Sequence, residues 1–135
     1  MVSAAPTPLR WPARLATLAT AGYVGVLLFA THYPRPQEFL GSNPPSDKTL
    51  HFIAYGLLGL LAGTTLALAG RWSLRNALWL AAALTLFAAF DEATQPLPWF
   101  RRAADPLDWV FDCLGIAIGL AVVAVAVRMR PRDNQ

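Results

Sequence analysis

The sequence predicts an all-α integral membrane protein, a bundle of four transmembrane helices with both termini in the cytoplasm. Three observations carry this. Hydrophobic residues make up 56% of the 135 residues and charged residues 14%, where a soluble domain holds about 25% charge. The apolar residues gather into four runs, at residues 15–30, 51–69, 74–90 and 109–127. The basic residues fall on alternate connections between those runs. The length suits one domain, a four-helix unit at residues 15–130 between cytoplasmic tails at 1–14 and 131–135.

A helix needs roughly 20 residues to cross the hydrocarbon core, with about 17 as the lower limit. The first run is short by this measure and borrows Trp11 and Tyr33 as interfacial anchors. Arg10 and Arg14 give it the positive flank of a signal peptide, but no small-x-small cleavage site follows near Ala30, so it is expected to stay as a helix. Pro34, Pro36, Pro44 and Pro45 punctuate the first connection. The second and fourth runs meet the spanning length. The third carries Arg75 and Asn76 near its start, and Arg75 can snorkel to the headgroups. Gly70 marks a very short second connection, which makes the second and third helices antiparallel neighbours. Pro96 and Pro98 end the third helix, because the residue before a proline avoids the helical region. Asp105-Pro106 starts the fourth, with Asp as N-cap and Pro at the first helical position.

The arginines set the orientation. Arg10, Arg14, Arg71, Arg75, Arg128, Arg130 and Arg132 lie on one side of a four-span chain; Arg35, Lys48, Arg101 and Arg102 lie on the other. Seven against four places the first side, and both termini, in the cytoplasm. Seven of the eight acids then fall at the outer face, all but Asp133. Arginines spread along apolar runs are not a nucleic-acid patch, and no nucleic-acid partner is expected. The lone Cys113 sits in an apolar run and excludes a disulfide framework within the chain. It reads as helix packing.

The polar residues therefore converge on three helix ends. Asp47, His51 and Tyr55 are spaced four apart and share a face of the second helix, with Gly59 and Gly63 near its continuation. Ser46 or Asp47 caps this helix. Lys48 either reaches the headgroups or joins the polar group. A histidine one turn into a span faces protein or a water-filled cavity and has a partner. Asp91 and Glu92 fall at the C-terminal end of the third helix, where the dipole is negative and disfavours acids by several tenths of a kcal/mol each. They are expected to need cationic partners, protons or metal, and Gln95 shares the face of Asp91. In the fourth helix Asp105 and Asp108 suit the first turn, whereas Asp112 lies too deep to cap. Gly115 and Gly119 continue the face of Asp108 and Asp112 with the small-residue spacing that lets helices touch, within the chain or between copies of a homo-oligomer. Arg101 and Arg102 are natural partners for these acids, or grips for a phosphate. No P-loop, His-Glu-x-x-His, Gly-x-Ser-x-Gly or paired-cysteine motif is present. One imidazole with spread carboxylates is a weak ligand pattern, so neither a metal nor another cofactor is expected.

"DKTLHFIAYGLLG", followed by "FDEATQPLPWFRRAADPLDWVFDCLGIAIG", resembles the VanZ-like family of small bacterial membrane proteins. That family shows Asp-Lys-x-x-His at the start of one helix, matched here by Asp47, Lys48, His51 and the following Tyr55. It shows Asp-Glu-x-x-Gln at the end of the next, matched by Asp91, Glu92 and Gln95. A loop arginine follows, here Arg101 or Arg102. The last helix carries an acid, then Asn or Asp, then Gly, matched by Asp108, Asp112 and Gly115. The resemblance covers residues 47–119. The loop departs from the family's Pro-Gly-Arg turn, and Asp112 stands where Asn is common.

The resemblance implies a multi-pass protein of the bacterial cytoplasmic membrane with a role at the cell envelope. Its partners would be the lipid bilayer and a lipid-linked cell-wall precursor or a glycopeptide, with low-level teicoplanin resistance as a family-level phenotype. The polar centre would be Asp47, His51, Asp91 and Glu92, with Asp108 and Asp112 as its second side. Two other readings fit the residues. In an enzyme acting on a lipid-linked phosphate, His51, Asp91 and Glu92 would be the catalytic candidates, with His51 handling a proton. In a scaffold, the acids would only close a buried salt-bridge network.

Overall fold

The described residues form four helices: α1 (Arg10–His32), α2 (Asp47–Leu68), α3 (Leu74–Thr94) and α4 (Pro106–Met129). The computed structural model describes residues 10–34, 41–100 and 103–130. The all-α reading and all four helices stand, and each helix is longer than its apolar run. The helices hold 23, 22, 21 and 24 residues, or roughly 32–36 Å at 1.5 Å per residue, enough for a core of about 30 Å. All four are long and apolar enough to cross a membrane, and the chain is a multi-pass membrane protein on that ground.

The helix ends follow their local chemistry. Ser46 caps α2 by accepting from the Thr49 N–H, and Ser73 caps α3 by accepting from the Asn76 N–H. Asp47 is therefore inside the first turn and is not the cap. Asp105 caps α4 through the Leu107 N–H, with Pro106 at the first helical position. Gly70, at φ 69°, ends α2. Its N–H donates to Ala67 O at 3.0 Å while Arg71 N–H donates to Leu66 O at 3.1 Å, a paired closure that needs a left-handed residue at this step. α3 stops at Thr94, with Gln95 as its C-cap immediately before Pro96. α1 begins at Arg10, inside the expected tail, and runs on to His32, two residues past its apolar run.

α2 and α4 form the central pair, with α1 packed on α2 and α3 on α4. The pair approaches through glycines. A Cβ at Gly59 would sit 2.7 Å from Ile116 O, one at Gly115 2.8 Å from Gly56 N, and one at Gly119 2.7 Å from Leu60 N. The contacts are to backbone, so no side-chain rotation relieves them. Gly115 and Gly119 are thus spent on α2 of the same chain. This corrects the expected use of that face in a homo-oligomer, because a second copy would have to displace α2.

Leu27, Tyr55, Leu58, Ala88, Ile116 and Leu120 make the apolar core. Tyr23 ties α1 to α2 by donating to Ala54 O at 2.8 Å, and Thr20 and Thr65 hydroxyls meet at 3.0 Å one helical stretch below. Trp109 Nε1–H donates to Thr85 O at 3.2 Å between α4 and α3. Large apolar side chains such as Leu18, Phe29, Leu78, Leu86, Val110 and Ile118 point outward and are exposed. Acids, a histidine and an amide are buried inside. This inversion suits a chain solvated by acyl chains rather than water.

The glycine seam predicts a position-specific cost. Gly119→Leu should lower stability in detergent by about 1–3 kcal/mol, as over-packing does. Gly25→Leu in α1, where a Cβ meets nothing within 4 Å, should stay within about 0.5 kcal/mol of wild type. Thermal unfolding followed by circular dichroism compares the two; equal effects would remove the seam's structural role.

Candidate functional site

The up-and-down order of the helices brings the C-terminal ends of α1 and α3 and the N-terminal ends of α2 and α4 to one end of the bundle. There the fold buries His51, Asp91, Glu92, Gln95, Asp108 and Asp112, with Thr31 beside them. These are six of the residues singled out from the sequence. Asp47 and Lys48 are half-buried at the rim of the same group, and Tyr55 is fully buried beneath it. Arg101 and Arg102 lie outside the described residues.

His51 is the link between α2 and α4. Its Nδ1 lies 2.9 Å from Asp112 Oδ1. With a carboxylate as acceptor, the imidazole carries its proton on Nδ1 and turns Nε2 the other way. Nε2 faces Asp108 Oδ2 at 4.0 Å, beyond hydrogen-bond length. The His51 and Tyr55 rings, one turn apart, lie nearly parallel at 7° with centroids 6.4 Å apart.

The acids of α3 find neutral donors. Tyr55 O–H donates to Asp91 Oδ2 at 2.8 Å, and Thr31 O–H donates to Asp91 Oδ1 at 3.0 Å. Glu92 accepts the Asp105 backbone N–H at 2.6 Å on one oxygen and the Gln95 amide at 2.8 Å on the other. Glu92 therefore anchors the α3–α4 connection. Among the described residues, no cation is hydrogen-bonded to Glu92. Its hydrogen bonds go to an N–H left over before the first turn of α4 and to a neighbouring amide. Among the described residues, the cationic candidate beside Asp91 is His32, whose Nδ1 lies 3.4 Å from Oδ1.

His32 and Thr31 belong to this site and escape a reading that ends the first helix at Ala30. His32 Nε2 sits 3.0 Å from Thr94 Oγ1, and Nδ1 sits 3.0 Å from Leu28 O. Phe100 meets its ring edge-on at 4.4 Å between centroids. The signal available was the polar pair directly after the run, preceding the interfacial Tyr33. An apolar groove of about 590 Å³ opens beside it, walled by Phe29, His32, Phe90, Thr94, Trp99 and Phe100.

Lys48 does not reach for headgroups. Its ammonium donates to Asp105 Oδ2 at 2.7 Å and to Asp108 Oδ1 at 3.4 Å, pinning the start of α4 to the start of α2. Two acceptors are buried without a hydrogen bond among the described residues, Gln95 Oε1 and Asp112 Oδ2. A buried acceptor left open in this way calls for a water, an ion or a ligand group.

The chemistry available here is carboxylate and imidazole chemistry in a dry setting. Ionised groups in low dielectric interact strongly with any cation, proton or anion-bearing partner that enters. The three sequence motifs do come together in one place, although their spacing alone gives no distances.

Asp105 lies before α4, and the Lys48 ammonium, with help from the Leu107 N–H, holds its carboxyl below the usual carboxylate range. A depressed folded-state value means that its contribution is complete above the ordinary value near 3.8. That contribution is lost as pH falls through the lower folded value. Asp105→Asn keeps the capping oxygen and removes the charge. It should lower the melting temperature at pH 7, and the difference from wild type should vanish as pH falls through that lower folded value. A difference independent of pH would assign Asp105 to capping alone. No protein-family model, no curated protein and no solved structure matches this chain, so the reading of the site rests on its own geometry.

Proposed function

We propose that this chain is a VanZ-like protein of the bacterial cytoplasmic membrane that holds a lipid-linked envelope ligand at an outward-facing polar site. The observation that carries the reading is the burial of four acids, a histidine and a glutamine at one end of the bundle. Burial of that kind is costly in a membrane core and is retained at sites of function. The arginine distribution assigns that end to the outer leaflet. The motif order through residues 47–119 supports the family. The open acceptors on Gln95 and Asp112 support a further polar group bound there. The groove beside His32 gives an apolar tail a place next to the polar centre. A lipid-linked cell-wall precursor has both parts. Low-level teicoplanin resistance is the phenotype such binding would confer, by changing access to the precursors that glycopeptides bind.

Two readouts test this together. In a Cys113→Ser background, Ser42→Cys should react with a membrane-impermeant maleimide in intact cells, and Trp72→Cys should not. Native mass spectrometry of the purified protein should show a retained polyprenyl-linked phosphate. Asp91→Asn should reduce its occupancy at least tenfold without changing the elution profile. The opposite labelling pattern, or a wild-type protein holding only bulk phospholipid, overturns the reading.

A further inference from the structure

We propose that His51, Asp47 and Asp108 bind a divalent transition-metal cation, Zn²⁺ or Mn²⁺, with Asp112 as the residue that orients His51. This rests on the reading of the polar end as a ligand site and supplies the group that would grip an anionic ligand there.

The sequence separates these residues between α2 and α4, and the fold reunites them. One ligand atom from each of Asp47, His51 and Asp108 falls within a sphere of contacts no wider than 4.8 Å. The arrangement of His51 is the second, independent observation. Its side chain is 3% exposed, yet among the described residues only Nδ1 is hydrogen-bonded, to Asp112 at 2.9 Å. A metal-ligating histidine typically gives its other N–H to a carboxylate, which fixes the ring and raises its basicity. Asp112 is placed to do this.

The open nitrogen, Nε2, is turned toward Asp108, and Asp47 lies in the same cluster. Its distance of 4.0 Å from Asp108 Oδ2 is about 1 Å too long for a hydrogen bond. A cation bonded at roughly 2.1 Å to each atom separates them by about 3.0 to 4.2 Å, for angles from 90° to 180°. The gap is therefore the size of a bound ion. Lys48 does not occupy it, since the ammonium holds Asp108 by Oδ1 at 3.4 Å and reaches outward to Asp105. Asp112 Oδ2, buried without a hydrogen bond, leaves an acceptor for a metal-bound water.

The donor set narrows the ion. One imidazole and two carboxylates suit Zn²⁺ and Mn²⁺ and disfavour Mg²⁺ and Ca²⁺, which take oxygen ligands. Three protein ligands leave a position open. A phosphate oxygen would complete the shell, so the same metal would orient a lipid-linked phosphate at the rim of the bundle.

The test uses the full chain in detergent. After incubation with Zn²⁺ and removal of excess, wild type should retain one equivalent by elemental mass spectrometry. Co²⁺ should give the visible d–d bands of a nitrogen- and oxygen-ligated ion. His51→Ala and Asp108→Asn should lose the bound ion. Asp112→Asn should weaken binding about 10–100-fold, as expected for an orienting partner. Gly25→Ala, in α1 where a Cβ meets nothing within 4 Å, should bind as wild type. Should the His51 variant fail to fold, ¹⁵N NMR of the wild-type histidines decides: Zn²⁺ should shift Nε2 of one histidine and leave its Nδ1 proton in place. Wild type without a stoichiometric ion, or an unshifted Nε2, overturns the metal site. Retention of a lipid phosphate by wild type that takes up no stoichiometric ion would sink this inference and leave the ligand-site reading standing. A bound ion with no lipid phosphate would do the reverse.

Discussion

The close approach of α2 and α4 governs everything else in this protein. Glycines at 56, 59, 115 and 119 remove the side chains that would hold the two backbones apart. Only at that separation can a ring on α2 and a short carboxylate on α4 meet at 2.9 Å with both fully enclosed. The His51–Asp112 pair is in turn the reason the rest of the polar end has a defined geometry. It fixes which imidazole nitrogen is turned toward Asp108. One turn further along α2, Tyr55 donates to Asp91 of α3.

Packing and chemistry share residues at this end. Asp91 draws α1, α2 and α3 together through the hydroxyls of Thr31 and Tyr55. Glu92 holds the loop that leads into α4. Lys48 ties the first turns of α2 and α4. A substitution among these groups therefore strikes architecture as well as any ligand. The unpaired acceptors are different. Gln95 Oε1 and Asp112 Oδ2 contribute nothing to the fold as they stand, and burial makes their desolvation a cost.

Much of this was legible from the residues. Apolar run length gave the four helices, and Asp105-Pro106, Gly70 and Pro96 gave their ends within a few positions. The fourfold spacing of Asp47, His51 and Tyr55 placed them on one face, and Gly115 and Gly119 announced a close contact. What the sequence withheld was partner identity. A glycine face does not say whether α2 or a second copy covers it. The dipole argument at the end of α3 showed that Asp91 and Glu92 needed stabilising, but hydroxyls and a backbone N–H serve as well as cations, and no periodicity distinguishes them. His32 was hidden because hydropathy ends a helix where its apolar run ends, while the backbone continues to the polar pair that enters the site. The gap between His51 and the carboxylate of Asp108 is a tertiary distance with no trace in the spacing of either helix.

The central claim is that His51 and Asp112 form a buried, direct bond across the glycine seam. A double-mutant cycle with His51→Ala, Asp112→Ala and the combined variant tests it, by denaturant unfolding in a fixed detergent. The structure predicts a coupling of about 1 kcal/mol or more, since residues in one buried hydrogen bond are not independent. Single-variant losses that add within about 0.3 kcal/mol would contradict it.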